Sequence, residues 1–189
     1  MYHNDNALLS YRLNQDEVVT LNDLNRNKPN DVPMMTDIYC LVQELQETYP
    51  FIRNITIGVS DDPVLLEKAE QFKHLFENVL NDKDFQGSVV HIVKWKENST
   101  SMKKFEKSFV QYDPDVWIVM GRPLGFSRLL KRLYRNERFD PKRTYCFGPL
   151  CSETMIQTVG PKYFEGIQGL TMDQLTWRVK QGRIHVSTS

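Results

Sequence analysis

The chain has 189 residues, of which 40% are hydrophobic and 25% are charged, and its 24 basic and 24 acidic residues give no net charge. This length fits one domain, and the lack of a basic excess argues against a general nucleic-acid binder. No apolar stretch of about 18 residues predicts a membrane-spanning helix. The first residues lack the basic and apolar regions of a signal peptide.

The cysteine content also limits the class of protein. Cys40, Cys146 and Cys151 are too few, and odd in number, for a disulfide framework. Their spacing does not match a zinc site, because Cys146 and Cys151 are five positions apart with no histidine near them.

The amino-terminal part of the chain divides into two predicted segments. Residues 1–34 are rich in Asn and Asp and show no sustained hydrophobic period, which predicts a loop-rich arm. A helix is predicted over 35–49, with Thr36 or Asp37 as its cap and Pro50 as its end.

From residue 54 onward, strand and helix patterns alternate. Segments with a 3.6-residue period predict helices at 62–82, 101–112, 125–136 and 152–160. Apolar runs predict strands at 54–59, 87–95, 115–121, 143–149 and 165–171. This alternation is typical of βαβ units with right-handed crossovers. The predicted fold class is α/β, a parallel five-stranded sheet with helices on both faces, as in flavodoxin-like folds.

The last 18 residues follow the fifth predicted strand. Gln181-Gly182 is a turn signal within them and predicts a hairpin. The predicted organisation is therefore an arm over 1–34, an α/β lobe over 35–171, and a tail over 172–189.

The loops after the predicted strands are the candidate functional region. Ligands of open parallel sheets bind outside the carboxyl ends of the strands, which selects these loops, including 95–98 after the second strand. The predicted ligand-binding residues are Ser60, Asp61, Asp62, Gly121, Arg122, Gly148 and Ser152.

Several of these residues have two interpretations. Asp61 and Asp62 fit an acidic site for a metal or an amine, but a helix N-cap is favoured. Arg122 fits bidentate binding of a carboxylate or phosphate, and a solvated loop arginine is equally consistent with the pattern. Cys151 precedes a predicted helix, where a thiol pKa can fall, but it has no evident base partner.

Known catalytic motifs are absent from the sequence. There is no G-x-G-x-x-G after the first strand, no Walker pattern, no G-x-S-x-G and no H-E-x-x-H. We therefore predict no catalytic residue, no metal and no cofactor. The basic run over 128–143 is interpreted as a solvated helix face, with Leu129, Leu130 and Leu133 toward the core.

The region from 54 to about 171 resembles one lobe of the type 1 periplasmic-binding-protein fold, in its leucine/isoleucine/valine-binding and receptor branch. The segments that carry the resemblance are NITIGVSDDPVLLEKAEQFKHLF, DPDVWIVMG and GPKYFEGIQG. Complete members have two lobes, a cleft between them and about twice this length. The resemblance implies ligand contacts on the cleft-facing loops, at Ser60, Asp61, Gly121, Arg122 and Gly148.

Three functions follow from these observations. The first is a non-enzymatic ligand-binding or receptor-type lobe that recognises a small polar molecule, as a piece of a two-lobed signalling receptor or as a stand-alone protein. The second is a flavodoxin-like enzyme that acts on a phosphorylated or nucleotide substrate, with Arg122 as the anion clamp. The third is a dimerisation module with Phe126, Tyr134, Phe139 and Trp177 as its exposed aromatics.

The expected partners are a small polar ligand and either a second lobe or another copy of the chain. Nucleic acid and direct membrane insertion are not expected. A receptor fragment would be extracellular and a stand-alone protein cytoplasmic.

Overall fold

The computed structural model describes residues 32–79, 87–147, 150, 152–170 and 175–187. Nearly all of the predicted arm lies outside the described residues, as do Gly148 and Cys151. The predicted boundaries of arm, lobe and tail stay predictions.

The described strands form one seven-stranded sheet. They are β1 Asn54–Ser60, β2 Ser88–Trp95, β3 Val116–Met120, β4 Thr144–Cys146, β5 Gln168–Leu170, β6 Thr176–Lys180 and β7 Arg183–Ser187. Their order in the sheet is β2-β1-β3-β4-β5-β6-β7. The first five strands in the chain pair in parallel, and the last two pair antiparallel.

The prediction of five strands is wrong, because the tail adds two strands to the sheet. β6 pairs with β5 and β7 pairs with β6. The turn between β6 and β7 lies at Gln181 and Gly182, as the sequence predicts, with φ of 52° and 71°. Two residues with positive φ match the right-handed twist of a hairpin. The sheet is therefore mostly parallel.

Helices cover both faces of this sheet, as predicted. The described α-helices are α1 Met35–Thr48, α2 Pro63–His74, α3 Lys103–Phe109, α4 Pro123–Leu133 and α5 Glu153–Val159. One apolar cluster packs on each face of the sheet. Trp117 lies in the cluster under α3, α4 and α5, and Ile118 lies in the cluster under α1 and α2. A π-helical turn at Leu75–Val79 continues α2.

The start of α1 differs from its prediction. The cap is Met34 rather than Thr36 or Asp37. Asp37 instead accepts a hydrogen bond at Oδ2 from the Met34 backbone N–H, 2.8 Å away. The carboxylate thus satisfies one of the free donors of the first turn.

The aromatic residues predicted for dimerisation are mostly buried, which corrects that prediction. Phe126, Phe139 and Trp177 belong to the core cluster under α3, α4 and α5. Trp177 faces inward because it alternates with outward-facing neighbours along β6. Only Tyr134 of the four is exposed, at 48%.

The predicted solvated face of α4 is confirmed. Leu129, Leu130 and Leu133 are fully buried, and Arg128 and Lys131 are exposed.

Within the described parts of the chain, no helix is long and apolar enough to span a membrane.

Candidate functional site

The carboxyl ends of β1 and β3 bring together most of the predicted site residues. β1 and β3 are neighbours, and Val59 pairs with Met120 near their ends. Ser60 therefore lies beside the segment that follows β3, where the Arg122 backbone N–H donates to Ser60 Oγ at 2.8 Å. The chain leaves β1 toward β2 on one side and meets β3 on the other. This position is the topological switch point of the sheet, where ligands of such folds bind.

Asp62 and Arg122 form an ion pair at this edge. Arg122 Nη2 donates to Asp62 Oδ2, and the side chains of Arg122 and Asp62 are 28% and 20% exposed, respectively. Asp62 also caps α2, since its Oδ1 accepts from the backbone N–H groups of Val64 and Leu65 at 3.0 and 3.4 Å. The favoured interpretation of Asp62 as an N-cap is confirmed, and the same carboxylate holds the guanidinium in place.

These contacts also set the ionisation of Asp62. The hydrogen bond from Arg122 holds the pKa of the Asp62 carboxyl below its usual value, and the backbone N–H groups of Val64 and Leu65 act in the same direction. Burial raises the same pKa, but less than the hydrogen bond from Arg122 lowers it. A carboxyl with a lowered folded-state pKa stabilises the fold above its unfolded pKa, and this stabilisation is lost as pH falls through the folded pKa.

We expect Asp62→Asn to lower the free energy of unfolding at pH 7 by about 0.5–1 kcal/mol. Asn caps helices as well as Asp does, so the substitution removes mainly the charge. Urea unfolding at a series of pH values below 7 should show the difference from wild type shrinking below about pH 4. Asp61→Asn is the control, because the exposed Asp61 side chain bonds to no described residue. A difference that stays constant with pH would contradict the expectation.

The indole of Trp95 fills the crevice between the ends of β1 and β3. Trp95 is the last residue of β2 and is fully buried. A Cβ atom at Gly58, Gly121 or Gly125 would lie 2.8, 2.5 or 2.5 Å from the nearest indole atom. Such distances are far inside van der Waals contact, so the indole needs glycine at all three positions.

Glu97 closes the crevice above this indole. Its Oε1 accepts from Ser60 Oγ at 2.5 Å and from Trp95 Nε1 at 3.0 Å. Its Oε2 accepts from the Gly125 backbone N–H in the first turn of α4, at 2.5 Å. Three donors from three parts of the chain therefore converge on one carboxylate, which also lies where the helix dipole favours negative charge.

Sequence reasoning did not single out Glu97. The carboxyl-end rule selected its loop, but nothing local distinguishes a glutamate two residues after a strand from a solvated one. The only available signal was its position beside the switch point, together with the small residues Ser60, Gly121 and Gly125 on the facing segments.

The predicted site residues therefore divide into a filled crevice and an accessible rim. Ser60 and Gly121 are buried against Glu97 and Trp95. Asp61 is exposed, and its backbone N–H is fixed by the Trp95 carbonyl at 2.7 Å. The rim consists of Asp61, Asp62 and Arg122, and these side chains are the ones of the predicted set that can meet a ligand at this edge.

The remaining predicted residues follow β4. Gly148 lies outside the described residues. Ser152 is buried and caps α5, with its Oγ accepting from the Met155 backbone N–H at 3.2 Å. In the described part of the chain, no three His, Cys, Asp or Glu side chains are grouped as metal ligands.

No protein-family model matches the chain, and no curated protein matches it. Several solved structures are similar to it. A substrate-binding periplasmic protein from Ralstonia solanacearum has a TM-score of 0.60 at 8% identity, over 74% of this chain and 37% of that one. A solute-binding protein of an ABC transporter from R. palustris, in complex with benzoate, has a TM-score of 0.58 at 13% identity, over 72% and 35%.

An extracellular ligand-binding receptor from Rhodopseudomonas palustris is also similar, with a TM-score of 0.58 and 14% identity, over 80% of this chain and 39% of that one. The chain thus spans a little over a third of the length of these proteins. The predicted resemblance is confirmed at the level of fold: the chain has the architecture of one lobe of such binding proteins.

Proposed function

We propose that this chain is a non-enzymatic ligand-binding lobe, which recognises a small polar molecule at the carboxyl edge of β1 and β3. The observation that carries the proposal is the Asp62–Arg122 pair, which is partly exposed at the switch point of a binding-protein fold. Asp61, Asp62 and Arg122 make the contacts. Ser60 and Gly121 act indirectly, by fixing the rim through Glu97 and Trp95.

Arg122 supplies the anion-binding group of this rim. A guanidinium has five N–H donors in a rigid fork, and Asp62 takes only part of them. The Arg122 backbone is fixed as well, because its N–H is bonded to Ser60 Oγ. A preorganised guanidinium binds a carboxylate or phosphate at a lower entropic cost than a free one. The ligand of this site therefore carries an anionic group.

The proposal also includes a second lobe. An edge with charged side chains on one side encloses only part of a ligand, whereas small-molecule sites bury most of the ligand surface. The structural neighbours are about twice as long as this chain. We propose that another lobe, from the rest of a longer chain or from another copy, covers the ligand.

The test is a thermal-shift titration of the 189-residue chain with leucine and with benzoate. A ligand at a hundred times its dissociation constant stabilises by about 2.7 kcal/mol, which corresponds to about 5–10 °C in Tm for a chain of this size. We expect Arg122→Ala to remove this ligand-dependent shift. The matched control is Arg132→Ala, because Arg132 forms a similar ion pair with Glu106 at the other end of α4.

A shift of equal size in the Arg122→Ala protein would contradict the role of Arg122. Absence of a shift in the wild-type protein with both probes would overturn the proposal for amino-acid and carboxylate ligands. Loss of the shift in the Arg132→Ala protein would show that the site lies elsewhere on α4.

A further inference from the structure

A cavity lies on the face of the sheet that α1 covers. Its volume is about 160 Å³, which is room for several water molecules or one small organic ion. α1, β4, β5 and the β6–β7 hairpin all contribute to its wall. The lining residues with functional side chains are Glu44, Tyr145, Gln168, Arg178, Lys180 and His185.

Arg178 is held in this wall by a buried amide. Gln168 is 5% exposed, and its Nε2 donates to the Lys142 carbonyl at 2.8 Å. Its Oε1 then accepts from Arg178 Nε at 2.9 Å and also from Nη2. The amide is anchored to the backbone at one end and orients the guanidinium at the other. The other N–H groups of Arg178 are bonded to no described residue.

The side chains around this guanidinium are mostly basic. Arg178 and Lys180 lie on the same face of β6 because strand side chains alternate, and both are exposed. His185 lies directly across from Arg178 on β7. Glu44 on α1 is the opposing carboxylate of this wall.

Tyr145 is the buried aromatic residue of β4 that lines the cavity. Its ring is 2% exposed, and burial raises the pKa of Tyr145 far above its usual value. The hydroxyl therefore stays protonated at neutral pH. The neighbouring Tyr49 and the charge of Glu44 raise the same pKa further, and the charge of Arg178 lowers it.

We propose that this cavity is a binding site for a small oxyanion, a carboxylate or a phosphate, held by the oriented guanidinium of Arg178 with Lys180 beside it. A guanidinium fork matches the two oxygens of either group. A buried amide that orients an arginine is the arrangement expected when the arginine binds a ligand of fixed geometry. This site is independent of the one proposed at the carboxyl edge.

The test is an NMR titration of the full chain with inorganic phosphate and, separately, with acetate. We expect saturable shifts of the backbone amides of Gly169, Arg178 and their strand neighbours. Arg178→Gln should weaken the binding at least tenfold, and Lys180→Gln should weaken it less. Glu44→Gln should strengthen it, because the substitution removes a repulsive charge. Arg132→Gln is the control and should change nothing.

Saturation by one anion only would support the proposal and assign the ligand to the carboxylate or the phosphate class. Shifts that do not saturate, or that are the same in the wild-type and Arg178→Gln proteins, would overturn it. So would shifts centred on the exposed lysines at 103, 104 and 107 instead of on β5 and β6. The spectrum of each variant shows whether that variant is folded. Because Arg178 and Lys180 are both substituted, the test still gives a result if one of the two variants does not fold.

Discussion

Glu97→Ala should lower the free energy of unfolding by about 3 kcal/mol at neutral pH. A hydrogen bond to a charged group contributes about 1.5–3 kcal/mol, and a buried donor without a partner costs a further amount. The substitution removes the acceptor of Ser60 Oγ, Trp95 Nε1 and the Gly125 N–H at once. Water can bond to part of this half-buried position in the variant. The expected loss in the free energy of unfolding is therefore smaller than the sum for three hydrogen bonds to a charged group. Urea unfolding measures it directly.

The control for Glu97→Ala is Glu106→Ala. Glu106 accepts from Arg132 Nε at 2.7 Å and from Asn136 Nδ2 at 3.2 Å, with 17% of its side chain exposed. Its partners are near the surface, and such pairs contribute about 1 kcal/mol or less. An equal loss in the two variants would contradict the special position of Glu97.

Trp95→Ala should lower the free energy of unfolding by about 4 kcal/mol. Buried Trp→Ala substitutions cost about 3–5 kcal/mol, the larger values where the site cannot collapse. The indole lies against Gly58, Gly121 and Gly125, and none of these has a side chain that can move into the space. The expected product is a cavity at the switch point.

Trp95→Phe separates the two contributions of this side chain. It keeps much of the ring volume and removes the Nε1 donor to Glu97. We expect it to cost about half as much as Trp95→Ala, since the loss of one hydrogen bond and a small cavity add. Equal losses in the Phe and Ala variants, measured in urea, would show that volume at this position matters little and that the crevice is open.

The sequence predicts much of this fold because its local signals agree with one another. The run VWIVM predicts a strand buried on both faces, and all five residues of β3 are buried. Asp62 followed by Pro63 predicts the start of α2, and Asp62 is its cap. Gln181-Gly182 predicts the hairpin turn. Each of these features depends on neighbours within a few residues, which a sequence displays.

The error in strand number concerns contacts between distant segments. Strand pairing of the hairpin with β5 depends on which edge of the sheet is open, so the hairpin was predicted but not its addition to the sheet as the sixth and seventh strands. The burial of Trp177 could have been predicted from the sequence, because Trp177 and Val179 alternate with polar residues along β6. That alternation predicts an inward tryptophan rather than an exposed one.

The candidate site shows the same division. The carboxyl-end rule selects Ser60, Asp61, Gly121 and Arg122, and the structure brings all four to one edge. The rule does not predict that Glu97 accepts the hydrogen bonds of Ser60, Trp95 and Gly125 at that edge. Gly58 is far in sequence from Gly121 and Gly125. The three glycines share one feature in the fold, which is that each lies against the indole of Trp95.

A filled crevice changes what the edge can do. If Trp95 and Glu97 stay in place, a ligand meets the charged rim and not the backbone of the switch point. Under the proposed function, recognition then depends on Asp61, Asp62 and Arg122, and the expected selection is by charge more than by shape. A second lobe would supply the remaining surface.

The most direct test of the filled crevice is the hydrogen-exchange rate of the Trp95 indole N–H, followed by NMR in the full chain. The indole of Trp117, which donates to the Phe109 carbonyl in the core at 2.9 Å, serves as the internal reference. A buried and bonded N–H should exchange at least about a hundredfold more slowly than that of free tryptophan, and Glu97→Ala should speed it. Exchange of the wild-type Trp95 indole at the rate of free tryptophan would contradict the filled crevice.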